Sequence, residues 1–336
     1  MSAANPTGGR AAGRTICDHR AFERIRSPAM IETMTALPAS VLIRDVSLRD
    51  GLQDEAPIST EAKIAIAEAL VAAGVRELEL TSFVRPDRVP AMADAEALSA
   101  ATQHLDVVRW GLVLNRRGAE RALAAGIDHL QYVVSVSDTH SRHNAGASTD
   151  DALTEFASFA SGLDDAVIEM TLSTSFGCPY EGPIDPAAVV EAARRSADAG
   201  ASSIGLADTI GVGVPTEVAA LVDAVVEAVD VPIGVHLHDT RGLAIANGLV
   251  AIEHGAVRLD ASVGGLGGCP FAPGASGNVP IEDLVHALTA MGVDTGCSVD
   301  GLIEAARLAC DSVGRPVGSH VGIAGPRFAT PVPSPG

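Results

Sequence analysis

Val235-His236-Leu237-His238-Asp239 places two imidazoles one residue apart, directly after an apolar run, Val231-Pro232-Ile233-Gly234, that reads as a buried strand. On a strand alternate side chains share a face, so His236 and His238 point the same way, about 7 Å apart along the backbone. Two neutral ring nitrogens at a strand end are half of a metal site. Asp50 could add a carboxylate and Asn278 an amide oxygen. Two nitrogens and two oxygens leave room for water or substrate around an octahedral ion, which suits Mg2+ or Mn2+ better than a thiolate zinc site. Alone, Arg49-Asp50-Gly51 is a plausible turn; beside the histidine pair, Asp50 reads as a ligand. Arg49 offers a rigid fork of donors for a carboxylate or a developing enolate. Glu79, within Leu78-Glu79-Leu80, is an acid in an apolar strand and needs a partner. It accepts from Arg49, orients a ligand, or lies exposed at the strand end. Cys269 sits in Gly264-Gly265-Leu266-Gly267-Gly268-Cys269-Pro270. Such a loop can close and bring a thiol to a substrate as proton donor. Its glycine spacing is not the GxGxxG of a dinucleotide turn, and neither a Walker lysine nor a Gx-Ser-x-Gly elbow occurs.

These residues need a scaffold that brings them together. Eight β-rich runs recur, at 40–46, 77–82, 107–114, 129–136, 166–174, 202–207, 231–238 and 257–263. Ala-rich segments with helical spacing alternate with them, at 60–73, 88–101, 116–125, 150–163, 186–199, 215–229, 241–254 and 281–291. Gly74, Gly126, Gly200 and Gly255 stand where left-handed helix caps are expected. Strict β-α alternation predicts a parallel sheet, and the count of eight favours a closed (β/α)8 TIM barrel over a doubly wound open sheet. A helix at 299–313 adds a short C-terminal extension. In such a barrel the chemistry sits beyond the strand ends. Arg49, Asp50 and Gln53 follow the first strand; Glu79 and Ser82 lie on the second; Ser137, Asp138, His140 and Asn144 follow the fourth; Cys178 follows the fifth. Asp208 and Thr209 end the sixth, the histidines the seventh, and the eighth leads to Cys269 and Asn278.

Of 336 residues, 47% are hydrophobic and 3% aromatic, enough apolar material for a sizeable core. A formal net charge of -19 argues against nucleic acid and against anionic membranes. No 18-residue apolar run predicts a membrane span. Five scattered cysteines without a CxxC pair suit a reducing compartment. Residues 1–38 read as a flexible extension, because Asp18, Glu23 and Glu32 are unlike an Arg-rich transit peptide. The catalytic domain is expected over 39–315, a tail over 316–336, and the location as cytoplasmic.

Arg49-Asp50-Gly51-Leu52-Gln53-Asp54-Glu55 resembles the RDGLQxE segment of 3-hydroxy-3-methylglutaryl-CoA lyases. Glu79-Leu80-Thr81-Ser82-Phe83-Val84, Gly177-Cys178-Pro179-Tyr180-Glu181-Gly182, Asp208-Thr209-Ile210-Gly211-Val212-Gly213 and His236-Leu237-His238-Asp239-Thr240 resemble it in order. The most specific match is the stretch from Gly265 through Cys269 to Asn278. The resemblance covers about 40–315 and implies a divalent-metal carbon–carbon lyase acting on an acyl-CoA thioester, as a homodimer. It implies that Asp50, His236, His238 and Asn278 hold the metal, that Arg49 stabilises an enolate oxygen, and that Cys269 donates a proton. Glu79, Asp208 and Glu282 match supporting acids; Gln53, Ser82, Asn144 and Thr209 fall at substrate-facing positions. The base that takes the hydroxyl proton is Asp50 or His236, with Asp50 preferred because a ligated imidazole is a poor base. Asp45 stands where these lyases usually carry Glu, Glu169 where they carry Arg, and Arg241 where Tyr is common. These departures leave the metal set intact and bear on the acyl group. A 3-alkylglutaryl or citramalyl thioester is the alternative substrate, and a condensing synthase or an inactive binding barrel the alternative role. Synthases of this superfamily carry a longer C-terminal region, and about 20 residues follow residue 315 here.

Overall fold

The computed structural model describes residues 37–163, 166–268 and 277–328. Eight parallel strands close into a barrel in sequence order. They are β1 (Leu42–Asp45), β2 (Glu77–Ser82), β3 (Val108–Val113), β4 (His129–Ser135), β5 (Val167–Ser173), β6 (Ser203–Asp208), β7 (Ile233–Leu237) and β8 (Arg258–Ala261). β1 closes the ring on β8, with Leu42 opposite Arg258 and Asp45 opposite Ala261. The open-sheet alternative is thereby excluded.

Helices α1 (Thr60–Ala72), α2 (Ala95–Ala101) and α3 (Arg116–Ala124) follow the first three strands. Two helices, α4 (Asp138–Ala145) and α5 (Thr149–Ala160), follow β4. Then come α6 (Pro186–Asp198), α7 (Pro215–Ala228), α8 (Ala244–Glu253), α9 (Ile281–Ala290), α10 (Val299–Val313) and α11 (His320–Ala324). Polar side chains start many of them. Ser59 accepts from the Ala62 amide, Asn115 from Gly118 and Ser148 from Asp151, each satisfying a first-turn donor the helix cannot. Gly74, Gly126, Gly200 and Gly255 take φ of +98°, +77°, +103° and +105°, the left-handed terminators the sequence predicts.

Leu, Ile, Val and Ala fill the layer between strands and helices. The floor of the barrel is instead ionic. Glu169, fully buried, accepts from Arg44 at 2.9 and 3.2 Å, from Arg258 Nη2 at 3.0 Å and from Ser203 at 3.0 Å, and meets Arg258 Nη1 more closely. Arg44 also reaches Glu77 at 3.1 Å and lies 4.0 Å over the Trp110 ring. Gly234 makes room for Arg258: a Cβ there would lie 2.3 Å from Nη2.

Three segments depart from expectation. The stretch after β4, where no helix is expected before 150, forms α4; its sequence is polar on every side and shows no apolar stripe. The helix expected from 88 starts at Ala95, because Pro90 heads a separate 3-10 turn, Pro90–Met92. The helix expected from 241 starts at Ala244, and Arg241 donates instead to the carbonyls of Ile210 and Gly211 at 2.9 and 2.8 Å. Within the stretch assigned above to a tail, Ser319 is buried and donates to Glu282 Oε1 at 2.7 Å, while Asp283 accepts the His320 and Val321 amides. Among the described residues no helix is long and apolar enough to cross a membrane.

Candidate active site

β1 runs straight into one turn of π-helix, Ser47–Gly51, closed by the Gly51 amide on the Val46 carbonyl at 3.0 Å. Such wide turns are rare and frequently mark functional sites. The expected simple turn is therefore a helical one, and all five of its residues are buried. Ser47 fastens it, donating to Asp45 at 2.8 Å and accepting the Val263 amide at 2.8 Å. The consecutive side chains Arg49 and Asp50 point into one site. Arg49 Nε donates to Glu79 Oε1 at 2.6 Å and Nη1 to Asp50 Oδ1 at 2.5 Å. Of the three readings of Glu79, acceptance from Arg49 is the one the geometry realises.

His236 lies on β7 and His238 one residue beyond its end, with ring centroids 5.2 Å apart. Asp50 Oδ2 is 3.9 Å from His236 Nε2 and 3.4 Å from His238 Nε2. Asn278 arrives on the return arm of the glycine loop. That arm is stitched to β7 by an antiparallel bridge to His238 and by the Val279 amide on the Leu237 carbonyl at 3.1 Å. Asn278 Nδ2 donates to Asp50 Oδ2 at 2.7 Å and to Leu266 O at 3.1 Å. Its Oδ1 is buried without a partner among the described residues, and a buried amide oxygen normally has one. Asp50, His236 and His238 bring three ligand atoms within 4.8 Å of one another. The orphaned oxygen beside them completes a nitrogen-and-oxygen set that fits a divalent cation.

Burial alone would raise the Asp50 carboxyl, but Arg49 and both histidines hold it well below the ordinary range. Burial acts unopposed enough at Glu79 to push it up despite Arg49. Desolvation would lower His236, yet Asp260 and Asp50 raise it. Burial likewise raises Asp208 against two backbone donors. Asp208 uses both carboxylate oxygens on the Val212 and Gly213 amides, each at 2.9 Å, and so shapes a loop. Thr209 Oγ1 accepts the Thr174 amide at 2.8 Å. Ser82 is buried at the end of β2, its hydroxyl without a hydrogen-bond partner among the described residues. Gln53 is half-buried beyond the π turn, and Asn144 is exposed on α4 with no hydrogen bond to the cluster. Glu282 receives the Gly264 amide on both oxygens at 3.0 Å, fixing the base of the glycine loop. Cys269 lies outside the described residues.

Two residues at the site carry no sequence signal that singled them out. Thr174 has φ of +59°, strained for a β-branched residue. Its Oγ1 lies 2.9 Å from Ser135 Oγ and accepts the Ser137 amide at 3.2 Å, tying the ends of β4 and β5. Asp260 faces His236 from β8. Burial would raise its carboxyl, but Arg258 and His236 keep it well below the usual range.

A model of the HMGL-like family matches residues 40–309. An (R)-citramalyl-CoA lyase of Chloroflexus aurantiacus is 40% identical over 304 residues, covering 86% of this chain and 96% of that protein. The mitochondrial hydroxymethylglutaryl-CoA lyase of Mus musculus is 40% identical over 294 residues, covering 86% and 90%. A solved HMG-CoA lyase of Acinetobacter baumannii, in complex with coenzyme A and 3-methylmalate, superposes with a TM-score of 0.84. It is 37% identical and covers 89% of this chain and 100% of that one.

Proposed function

The chain belongs to the HMGL-like family, and from that premise we propose that it cleaves a 3-hydroxy-3-methyl dicarboxylic acyl-CoA thioester, with 3-hydroxy-3-methylglutaryl-CoA first among candidates. The observation that carries this reading is the convergence of Arg49, Asp50, His236, His238 and Asn278 from the first, seventh and eighth β-α units. Asp50, His236, His238 and Asn278 would hold a divalent cation, Mg2+ or Mn2+. The chemistry such a cation supplies when bound is Lewis acidity, lowering the pKa of a coordinated hydroxyl.

The 3-hydroxyl loses its proton, the C2–C3 bond breaks, and its electron pair passes to C2 as the enolate of acetyl-CoA while C3 becomes the carbonyl of an oxo acid. Protonation at C2 completes acetyl-CoA; acetoacetate leaves from the glutaryl substrate. Arg49, fixed by Glu79 and Asp50, holds its guanidinium where enolate charge would develop. Asp50 is a poor base in this setting, because Arg49 and the imidazoles favour its ionised, proton-free form. Glu79 is a further candidate proton acceptor: burial pushes its carboxyl up, and its Oε2 is buried without a partner among the described residues. Cys269 is the proposed donor to C2, and Gln53, Ser82, Asn144, Asp208 and Thr209 remain the substrate-side positions, Asp208 and Thr209 by shaping the mouth.

A citramalyl thioester, one methylene shorter and yielding pyruvate, is the second reading. The Chloroflexus aurantiacus relative supports it. A panel of both thioesters and a longer 3-alkylglutaryl homologue, assayed for acetyl-CoA release with Mg2+ or Mn2+ and with chelator, decides between them. Release from one of them that stops on chelation is expected. Release indifferent to chelator would refute the metal reading, and inertness toward the whole panel would refute the substrate class.

A further inference from the structure

Asp260 links the histidine pair to the ionic floor of the barrel. It stands opposite His236 in the β7–β8 register. Its Oδ1 accepts Arg258 Nε at 2.9 Å, and its Oδ2 lies 3.4 Å from His236 Nδ1 with no other partner among the described residues. Asp260 is 2% exposed and His236 6%. Arg258 is itself held by Glu169, which Arg44 grips from the other side. A line of alternating charge therefore runs from the floor to one ligand of the proposed cation.

A neutral imidazole carries one proton, and only its bare nitrogen can bind a metal. A carboxylate can accept but not donate, so it selects the form with hydrogen on Nδ1. That leaves Nε2 bare, on the side where Asp50 Oδ2 lies 3.9 Å away. His238 differs: its Nδ1 is buried and unpartnered among the described residues. We propose that Asp260 is a positioning residue that fixes the tautomer and ring orientation of His236 for cation binding, and that Arg258 and Glu169 hold Asp260 in place. This rests on the metal site proposed above. Such an outer partner typically changes metal affinity by about 10–100-fold.

Asp260→Asn keeps the shape and removes the certainty of an acceptor: with its oxygen toward His236, its amide opposes the Arg258 donor, and the reverse placement puts a donor against Nδ1. The test titrates chelator-stripped protein with Mn2+, reading free ion by electron paramagnetic resonance. Wild type is expected to bind at one site, Asp260→Asn at least tenfold more weakly, and Glu77→Gln, which alters the floor without touching Asp260, within twofold of wild type. Equal affinity of wild type and Asp260→Asn would overturn the positioning role while leaving the metal site standing; absence of saturable Mn2+ binding by wild type removes both. A second measurement needs no folded variant at Asp260. In 15N-histidine-labelled wild type with Mg2+, the His236 resonance, assigned by its loss in His236→Gln, should show a protonated Nδ1 and an unprotonated Nε2. The opposite tautomer would also overturn the proposal.

Discussion

Arg49 divides one guanidinium between Glu79 and Asp50, at 2.6 and 2.5 Å. A lysine ammonium is a point charge on a flexible stem and cannot reproduce two directed donors in that plane. On the proposed mechanism, Arg49→Lys should lower kcat by roughly 100-fold, the scale of losing one donor to a developing oxyanion. Mn2+ affinity should change far less, and a variant whose loss lies mainly in metal binding would refute the enolate role. Cys269→Ala should likewise depress turnover more than metal affinity; the reverse pattern rejects proton donation. His236→Ala should lose both turnover and tight Mn2+ binding, and full retained activity would count against the site. The proposed ligand set was legible because His-x-His on a strand, an acid after the first strand and an amide after the glycine-rich segment are each chemically conspicuous. Asp260 was not. Its role depends on which residue faces it across the β7–β8 register, and a single strand does not state its neighbour's identity. The pull of Arg49 and two imidazoles on the Asp50 carboxylate likewise depends on side chains brought together from separate strand ends and is not written in the Arg49-Asp50-Gly51 segment itself.

At the level of elements, alternation and helix caps located the eight strands and the main helices. α4 escaped because polar helices lack the apolar period on which such reading depends. The π turn escaped because Arg49-Asp50-Gly51 has the composition of an ordinary turn. The departure at Glu169 was visible but not its resolution: Arg44 from β1 and Arg258 from β8 supply the opposite charge, and Gly234 supplies the space. Partners from distant strands become apparent only when the barrel closes. Removing one member of a buried ion pair strands the others, at a cost of about 3–5 kcal/mol. Glu169→Gln should therefore lower unfolding stability by about 3 kcal/mol, the lower end, because Arg44 retains Glu77 and Arg258 retains Asp260. Chemical denaturation of metal-free protein measures it, and a loss under about 1 kcal/mol would show that the floor network contributes little.

Across the whole molecule the buried acids fall into two groups with opposite pH behaviour. Burial pushes Asp45 up to about 7 despite hydrogen bonds from Ser47, and pushes Glu282 up to about 7 despite Ser319 and the Gly264 amide. A carboxyl raised in the folded state binds its proton more tightly there than when unfolded. Its contribution is thus fully present below the unfolded value near 4 and lost as pH rises through about 7. Glu169 runs the other way. Burial would raise it, but Arg258 and Arg44 hold it at about 2, so its contribution is present above its unfolded value and lost as pH falls through about 2. The net charge of -19 adds self-repulsion that mild acid relieves, with the same sign as the first group. Metal-free protein should accordingly melt at higher temperature at mildly acidic pH than at mildly alkaline pH, by roughly 5 °C, and lose stability again only in strong acid. Cation binding opposes the first trend, because the imidazoles must be unprotonated to act as ligands. The rise in melting temperature produced by Mg2+ should therefore grow from the acidic to the alkaline condition. Scanning calorimetry at both pH values, with chelator and with Mg2+, tests the two slopes separately. A chelated protein more stable at alkaline pH would contradict the burial of Asp45 and Glu282 as the governing charges, whereas an Mg2+ effect that shrinks with pH would contradict an imidazole-ligated cation.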